Sequence, residues 1–280
     1  RLRVERPIVL KFKDNDKVIK YNVTTEDILS TLQILCENSI YTYQGQIAEG
    51  FITVKGGHRV GISGSCAIEN GKVINIKYIY SLNFRIARQV IGSSNPALRH
   101  ILNLENNSIY NTLIVSAPGT GKTTILRDII RQLASGIKEI KFLAINVGVV
   151  DERGEIAAMY KGIPQNDIGI KTDIMENVSK NIGIRMLIRS MAPKVIVADE
   201  IGKREDIKAI HYAVCSGCKG IFTAHGSTFE DISLNPVIHN LIETHIIDRL
   251  IFLDEKEKGK IKELYALNKK NGEYEKTGEK

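Results

Sequence analysis

The chain has 280 residues, of which 43% are hydrophobic and 25% charged, and this composition is typical of a folded globular protein. It excludes disorder and low complexity, and since no stretch reaches the roughly 18 uninterrupted apolar residues of a membrane span, we expect no integral membrane protein. The net charge of +7 is concentrated in residues 51–100, which hold seven Lys or Arg against one acid. A phosphate, a nucleic acid or an acidic partner would match this patch, although a solvated basic face is the commoner explanation.

The first residue is Arg1 rather than methionine and no signal peptide follows, so we expect the natural chain to begin upstream. Cys215 and Cys218 form a lone CxxC pair at the end of an amphipathic helical pattern. A second pair would be needed for a tetrahedral zinc site, so we interpret these cysteines as structural. Reduced thiols fit a cytosolic protein.

The first part of the chain, residues 1–91, is predicted to form a small α+β domain. Short alternating segments separated by turns favour strands, and the apolar spacing of Thr25 to Leu35 favours a helix capped by Thr24 or Thr25. The predicted strands are Arg6 to Lys13, Lys17 to Val23, Gly50 to Lys55, His58 to Gly61 and Lys72 to Tyr80. Residues 92–107, which open with Ser-Ser-Asn-Pro, are predicted to be a linker.

From residue 108 to 280 short buried strands alternate with helices, a pattern that indicates a parallel sheet. The predicted strands are Thr112 to Val115, Glu139 to Val147, Lys194 to Ala198, Gly220 to Thr223 and Ile246 to Leu253. The predicted helices are Lys122 to Ala134, Asn177 to Met191, Arg204 to Cys218 and a broken one from Thr228 to Glu243. The mixed lysines and acids after Asp254 are interpreted as a solvated surface.

A glycine-rich loop stands between the first of these strands and the first helix, which is the strand, loop and helix arrangement of a P-loop. Its backbone N–H groups and the helix N-terminus are expected to bind the phosphates of ATP. The residues assigned to nucleotide binding are Pro118, Gly119, Thr120, Gly121, Lys122, Thr123 and Thr124. Lys122 would reach the β- and γ-phosphates, and Thr123 would offer its hydroxyl to Mg²⁺. The usual pattern has glycine where this chain has Ser116, and serine is small enough to keep the turn.

The strand Lys194 to Ala198 ends in Asp199 and Glu200. Strand ends are where a parallel sheet presents its ligand-binding groups. Asp199 is therefore predicted to hold Mg²⁺ through water, and Glu200 to polarise the water that attacks the γ-phosphate.

Two further positions follow strands of the same sheet. Glu152, in Asp151-Glu152-Arg153, would add a carboxylate beside the attacking water, or the three residues would form a charged turn. His225 follows the strand that we place beside the Asp199 strand, where it would sense the γ-phosphate, the alternative being a surface histidine.

The order of these motifs resembles the secretion ATPases, the ring-forming motors of type II and type IV secretion and of pili, and within them a branch that acts in sporulation. The resemblance rests on the motifs above and on residues 50–61, 81–88, 150–157 and 189–194. It implies a RecA-like P-loop ATPase core with a smaller N-terminal α+β domain, and a homo-oligomer, in the form of a hexameric ring. Most secretion ATPases have a small residue where this chain has Asp199, so the metal role of Asp199 comes from general P-loop chemistry.

The resemblance also implies a function: ATP hydrolysis that powers assembly of, or export through, a channel between mother cell and forespore. The partners would be membrane-embedded subunits of that channel, and the location the cytoplasm of the mother cell, peripherally on the membrane. Ring motors bring arginines to the nucleotide from the N-terminal domain or a neighbouring subunit. The matching positions are Arg59, Arg85 and Arg88, within the basic block, although each is equally compatible with an ordinary surface arginine.

Two alternatives remain at this point. The basic block, with Gly61-Ile62-Ser63-Gly64 similar to the GXXG loop of a KH domain, would suit an ATP-dependent nucleic-acid-binding protein, whereas the preferred function involves no nucleic acid. The other alternative is a scaffold that binds nucleotide and hydrolyses it slowly or not at all.

Overall fold

The computed structural model describes residues 1–12 and 15–277, and the contacts among them divide the chain into two units. The first unit contains residues 1–88 together with residues 158–165. The second contains residues 89–157 and the chain from residue 166 onward. The predicted strand Arg6 to Lys13 ends on a residue outside the described ranges, and its described part forms a strand over Pro7–Lys11.

The first unit combines a four-stranded antiparallel sheet, in the order β1-β6-β5-β4, with a β2–β3 hairpin and two helices. Thr24 caps the first helix through a reciprocal pair of hydrogen bonds with Asp27. Aliphatic side chains of this helix are buried against those of the sheet to form the core of the unit. The elements are β1 (Leu2–Arg3), β2 (Pro7–Lys11), β3 (Asp16–Asn22), α1 (Thr25–Leu35), α2 (Gln44–Ala48), β4 (Phe51–Val54), β5 (His58–Glu69) and β6 (Lys72–Arg85).

Gly61 and Gly64 lie inside β5 and not in a loop, so the GXXG interpretation was wrong. Gly64 stands where the pairing of β5 with β6 shifts register. A Cβ atom at Gly64 would lie 2.8 Å from the carbonyl oxygen of Lys77 and 2.6 Å from the Ile76 side chain. The glycine therefore allows a close approach of two strands at a bulge, and it presents no loop to a nucleic-acid backbone.

The second unit is built on an eight-stranded sheet in the order β11-β10-β12-β13-β9-β14-β15-β16, whose first six strands are parallel. Its central strands are apolar and fully buried because helices cover both faces of a parallel sheet. The elements are α3 (Asn95–Ile101), β7 (Leu102–Asn103), β8 (Ser108–Ile109), β9 (Thr112–Ser116), α4 (Lys122–Ser135), β10 (Val147–Asp151), β11 (Thr172–Glu176), α5 (Lys180–Met191), β12 (Val195–Ala198), α6 (Arg204–Cys215), β13 (Lys219–His225), α7 (Phe229–Leu234), α8 (Pro236–Glu243), β14 (Arg249–Leu253), β15 (Ile261–Asn268) and β16 (Glu273–Lys276).

The strand predicted over Glu139 to Val147 was wrong, because the strand of this region is β10, which begins at Val147. Lys138–Ile140 form a 3-10 turn, and Lys141 has a left-handed φ of 56°. Ile137 and Phe142 then pair across this turn. Phe142 and Ile145 are buried without joining the sheet, whereas Ile140 and Leu143 are exposed, so the hydrophobic run does not form a strand.

Two other parts of the second unit differ from the sequence prediction. The lysine- and acid-rich segment after Asp254 contains β15 and β16, which extend the sheet and bury Leu264 and Leu267. Residues 92–107, predicted as a linker, contain α3 and β7, which pairs with β8 just beyond them, and they belong to the second unit.

Residues 158–165 belong to the first unit although they lie within the range predicted for the ATPase domain. Their contacts there are specific: Tyr160 and Lys161 both bind the Glu37 carboxylate, and the Gly56 N–H donates to Gln165 Oε1 at 2.7 Å. Sequence patterns indicate local structure, so they did not show that the chain passes from the second unit to the first at residue 158 and returns after residue 165.

Candidate functional site

The carboxyl ends of three neighbouring strands, β9, β12 and β13, define the site. Ser116 at the end of β9 is the register partner of His225 at the end of β13, and Ala198 at the end of β12 pairs with Phe222. Because all three strands are parallel, the segments that follow them leave the sheet at the same edge. The P-loop, the Asp199-Glu200 pair and His225 are brought together in this way.

The P-loop turns from β9 into α4 over residues 117–121. Gly119 and Gly121 have φ values of 79° and 107°, which side-chain-bearing residues rarely adopt. The Thr120 hydroxyl donates to the Ala117 carbonyl at 2.8 Å, and the Ser116 and Thr120 hydroxyls lie 2.5 Å apart. Ser116 is still part of the strand and its φ is not positive, so the turn does not require glycine there.

Lys122 begins α4 and is only 6% exposed as a residue. Its ammonium donates to the carbonyl oxygens of Ser116 at 2.7 Å and Ala117 at 3.1 Å, within the concave side of the loop. Burial lowers the pKa of Lys122, and the nearby carboxylates of Asp199 and Glu200 act against that shift. The loop therefore holds a desolvated cation at the N-terminus of a helix, an arrangement that favours an anion.

Asp199 lies between two hydroxyl groups. The Thr123 hydroxyl donates to Asp199 Oδ2 at 2.7 Å, and the Thr223 hydroxyl bonds Asp199 Oδ1. A hydroxyl and a carboxylate in contact are the hard oxygen ligands that Mg²⁺ prefers. The two residues assigned to the metal from the sequence are thus adjacent in space.

Glu200 has a left-handed backbone with φ of 53°, an uncommon conformation for a glutamate. The Thr223 side chain and backbone hold it there, since the Glu200 N–H donates to Thr223 Oγ1 at 2.8 Å and the Ile201 N–H to the Thr223 carbonyl at 2.8 Å. The Glu200 carboxylate meets Arg153 Nη1 at 2.5 Å and His225 Nε2 at 3.2 Å. A strained backbone held by its neighbours is a feature of functional sites.

His225 links the two charged groups of the site. Its Nδ1 lies 3.3 Å from the Lys122 ammonium and its Nε2 lies 3.2 Å from Glu200 Oε1. An ammonium only donates, so Nδ1 accepts, and Nε2 must carry the proton that it shares with Glu200. His225, the last residue of β13, therefore contacts both the P-loop lysine and the Glu200 carboxylate.

The acidic residues after β10 divide into two roles. Asp151 is 2% exposed and accepts the N–H groups of Glu155, Ile156 and Ala157 at 2.8, 3.0 and 2.9 Å. Burial raises the pKa of Asp151, although these three hydrogen bonds favour the charged form. This residue fixes the turn over residues 152–157.

Glu152 lines a small cavity together with Arg153, Lys180, Asp199 and Glu200. Its carboxylate bonds Lys180 and lies 3.7 Å from Lys203 Nζ. Burial would raise the pKa of Glu152, but the two lysines outweigh it and leave the pKa below its ordinary value. The structure thus places Glu152 near Glu200 as a charged, paired side chain.

The remaining predicted residues lie elsewhere. Pro118 is exposed on the P-loop, and Thr124 lies in the first turn of α4, where its carbonyl accepts the Ser93 hydroxyl at 3.4 Å. In the first unit, Arg59 and Arg85 are register partners on β5 and β6, and the Arg59 guanidinium lies 4.0 Å from the centre of the Phe51 ring. Arg88 is exposed at the end of that unit's first segment.

The sequence reasoning assigned no role to Thr223, Arg153 or Lys180, although all three contact predicted site residues. Arg153 was visible as part of a charged turn next to Glu152. For Thr223 the only signal was a hydroxyl within an otherwise apolar buried strand, two residues before His225.

Similar solved structures define the class of fold. The X-ray structure of the Legionella pneumophila ATPase DotB superposes with a TM-score of 0.60 at 14% identity, covering 96% of this chain and 76% of that one. The pilus retraction motor PilT with bound ADP superposes with a TM-score of 0.59 at 15% identity, covering 90% and 72%. The chain therefore has the fold of the secretion ATPases, a RecA-like α/β core with a smaller N-terminal α+β domain, as predicted.

Sequence comparison gives the family. The family described as sporulation stage III, protein AA matches residues 1–273, and the chain belongs to it. Stage III sporulation protein AA of Bacillus subtilis (strain 168) is 39% identical over 266 residues, which cover 95% of this chain and 85% of that protein. Protein SEEDLING PLASTID DEVELOPMENT 1 of Arabidopsis thaliana is 30% identical over 179 residues, which cover 63% of this chain and 24% of that protein.

Proposed function

We propose that the chain is an Mg²⁺-dependent ATPase that works as a homo-oligomeric ring and powers a transmembrane channel complex during sporulation. The observation that carries the enzymatic part is the meeting of Lys122, Thr123, Asp199, Glu200 and His225 at one edge of the sheet. These groups supply a phosphate-binding cation, metal ligands and a base within one set of hydrogen bonds.

The residues present fit Mg²⁺ and a nucleotide. Lys122 is a buried cation whose hydrogen bonds go to backbone carbonyls and to an imidazole, so its charge remains available to phosphate oxygens. Thr123 and Asp199 would hold Mg²⁺ through oxygen atoms. The ion, when bound, would neutralise charge on the β- and γ-phosphates.

Glu200 is the base of the proposed reaction. A water oxygen attacks the γ-phosphorus, the bond from that phosphorus to the oxygen bridging to ADP breaks, and Glu200 accepts the proton of the water. His225 orients the Glu200 carboxylate through Nε2, and its Nδ1 accepts a hydrogen bond from Lys122. Lys122 stabilises the charge that develops on the transferred group.

Glu200→Gln separates binding from chemistry. We expect the variant to bind ATP with Mg²⁺ at least as tightly as the wild type and to lose turnover by about 100-fold or more, because the amide keeps the shape and cannot take a proton. Lys122→Ala should lose binding and turnover together. Glu205→Gln, an exposed glutamate at the start of α6, is the matched control and should behave as wild type. Normal turnover in Glu200→Gln would remove Glu200 as the base.

The proposal extends to the arginines of the first unit as ligands of a nucleotide held by another subunit. Arg59 and Arg85 are register partners on β5 and β6, so the two arginines stand side by side on one pair of strands. Arg88 follows shortly after on the chain. Hydrolysis rate per molecule should rise cooperatively with protein concentration in ATP and Mg²⁺, in step with ring formation measured by light scattering. A constant specific rate together with a monomeric mass would contradict the shared site.

The role in sporulation is supported by membership of the family. Expression in Bacillus subtilis that lacks its own 39% identical relative provides the test. We expect the wild-type chain to restore heat-resistant spores and to lie in the mother-cell cytoplasm at the forespore membrane, whereas Glu200→Gln reaches the same place without restoring spores. Rescue by Glu200→Gln would mean that ATP hydrolysis is dispensable and would favour the scaffold alternative. Among the described residues, no helix is long and apolar enough to span a bilayer.

A further inference from the structure

Arg153 lies in a hydrogen-bonded turn and has an exposed side chain. Its backbone lies in the turn that Asp151 closes through three hydrogen bonds, and Arg127 of α4 supports the same turn by donating to the carbonyls of Glu155 and Ile156, each at 2.8 Å. The Arg153 side chain is 66% exposed, and its Nη1 lies 2.5 Å from Glu200 Oε2. The guanidinium therefore lies beside the proposed base, at a position that solvent and a bound anion can reach.

Two nearby lysines contact Glu152 and not Glu200. Lys180 bonds Glu152, and Lys203 lies 3.7 Å from the same carboxylate. Arg153 instead meets Glu200. An ion pair this exposed contributes only about 0–1 kcal/mol, so a stronger anion displaces one partner easily.

A γ-phosphate is such an anion. In the proposed reaction, the water that loses its proton to Glu200 lies between the Glu200 carboxylate and the γ-phosphorus, which brings the phosphate within reach of a side chain that contacts Glu200. A guanidinium binds phosphate oxygens through two parallel N–H groups, a geometry that suits it better than a single carboxylate contact.

We infer that Arg153 exchanges Glu200 for the γ-phosphate when ATP binds. The exchange frees the Glu200 carboxylate to accept the proton of the attacking water, and it makes Arg153 a residue that distinguishes ATP from ADP. Without nucleotide, the Glu200 carboxylate stays paired with Arg153. This inference rests on the proposed ATPase function and adds a γ-phosphate ligand from within the same chain.

Nucleotide binding tests the inference without relying on activity. Calorimetry with Mg²⁺ and either the non-hydrolysable analogue AMP-PNP or ADP should show that Arg153→Ala weakens AMP-PNP about 10- to 100-fold and changes ADP by less than about 2-fold, since a charge-assisted contact to the γ-phosphate alone is lost. Arg153→Lys should recover part of the AMP-PNP affinity. Lys208→Ala, which removes an exposed charge on α6, should leave both affinities unchanged.

Removing the competing carboxylate provides the second arm. Glu200→Gln should tighten AMP-PNP severalfold when Arg153 is present and not in the double variant, because an amide no longer holds the guanidinium. An equal loss for both nucleotides in Arg153→Ala, no loss for either, or the same gain from Glu200→Gln in both backgrounds would overturn the exchange. A wild-type chain that binds neither nucleotide would instead refute the proposed function itself.

Discussion

Replacing Thr223 by valine should lower the rate of hydrolysis because Glu200 loses a hydrogen bond that positions it, although no charged residue is replaced. The Thr223 hydroxyl accepts the Glu200 N–H at 2.8 Å and bonds Asp199, and the residue is fully buried in β13. Valine keeps the shape and removes both contacts. An N–H left without its partner costs about 1–3 kcal/mol, and Glu200 would no longer be held at its left-handed φ of 53°.

Because a positioned base contributes about 10²- to 10⁴-fold to a reaction, we expect Thr223→Val to lower kcat about 10- to 100-fold. Its ATP affinity should change much less, since Lys122 and the P-loop are intact. Thr223→Ser keeps the hydroxyl and is the control. Phosphate release gives the rate, and urea unfolding followed by circular dichroism gives a stability loss of about 1–3 kcal/mol. Equal kcat values for the valine and serine variants would refute the role assigned to the hydroxyl.

Three further changes test the packing and electrostatics of the second unit. Asp151→Asn should destabilise it by about 1–3 kcal/mol in urea unfolding, because the amide NH₂ would face an N–H donor where the carboxylate accepts three; equal stability would contradict this role. Burial alone would raise the pKa of Asp128, but hydrogen bonds from Ser94 and Arg131 outweigh it and lower the pKa. That contribution is present above the unfolded pKa of about 3.9 and is lost as the pH falls through the folded pKa. The difference in free energy of unfolding between wild type and Asp128→Asn should therefore become smaller below about pH 4. A difference that grows there would contradict a lowered pKa of Asp128. Gly183→Ala should cost about 1–3 kcal/mol, because its Cβ would lie 2.8 Å from Val150, whereas Gly202→Ala, with open space around it, should cost far less.

The sequence predicted those parts of the fold and site whose residues are adjacent in the chain. The P-loop residues form one run between a buried strand and a helix, and Asp199 and Glu200 directly follow the apolar strand β12. Buried parallel strands are short apolar runs, so their ends, where ligand-binding groups lie, are visible in the sequence.

Contacts between strand ends were harder to predict. Thr223 and Asp199 meet because β12 and β13 are neighbours, and a threonine inside a strand is otherwise ordinary. Arg153 meets Glu200 only because the turn after β10 is folded around the buried Asp151. The stretch over residues 139–146 misled the prediction because a short apolar run whose side chains are partly buried after a helix resembles a strand in the sequence.

The return of residues 158–165 to the first unit has a consequence for dividing the protein. The backbone passes between the units three times, after residues 88, 157 and 165. A fragment that starts at residue 89 would carry Tyr160 and Lys161 without Glu37, and a fragment that ends at residue 88 would lack the chain that binds Glu37. Neither unit is a continuous gene segment, so a simple truncation yields neither unit whole.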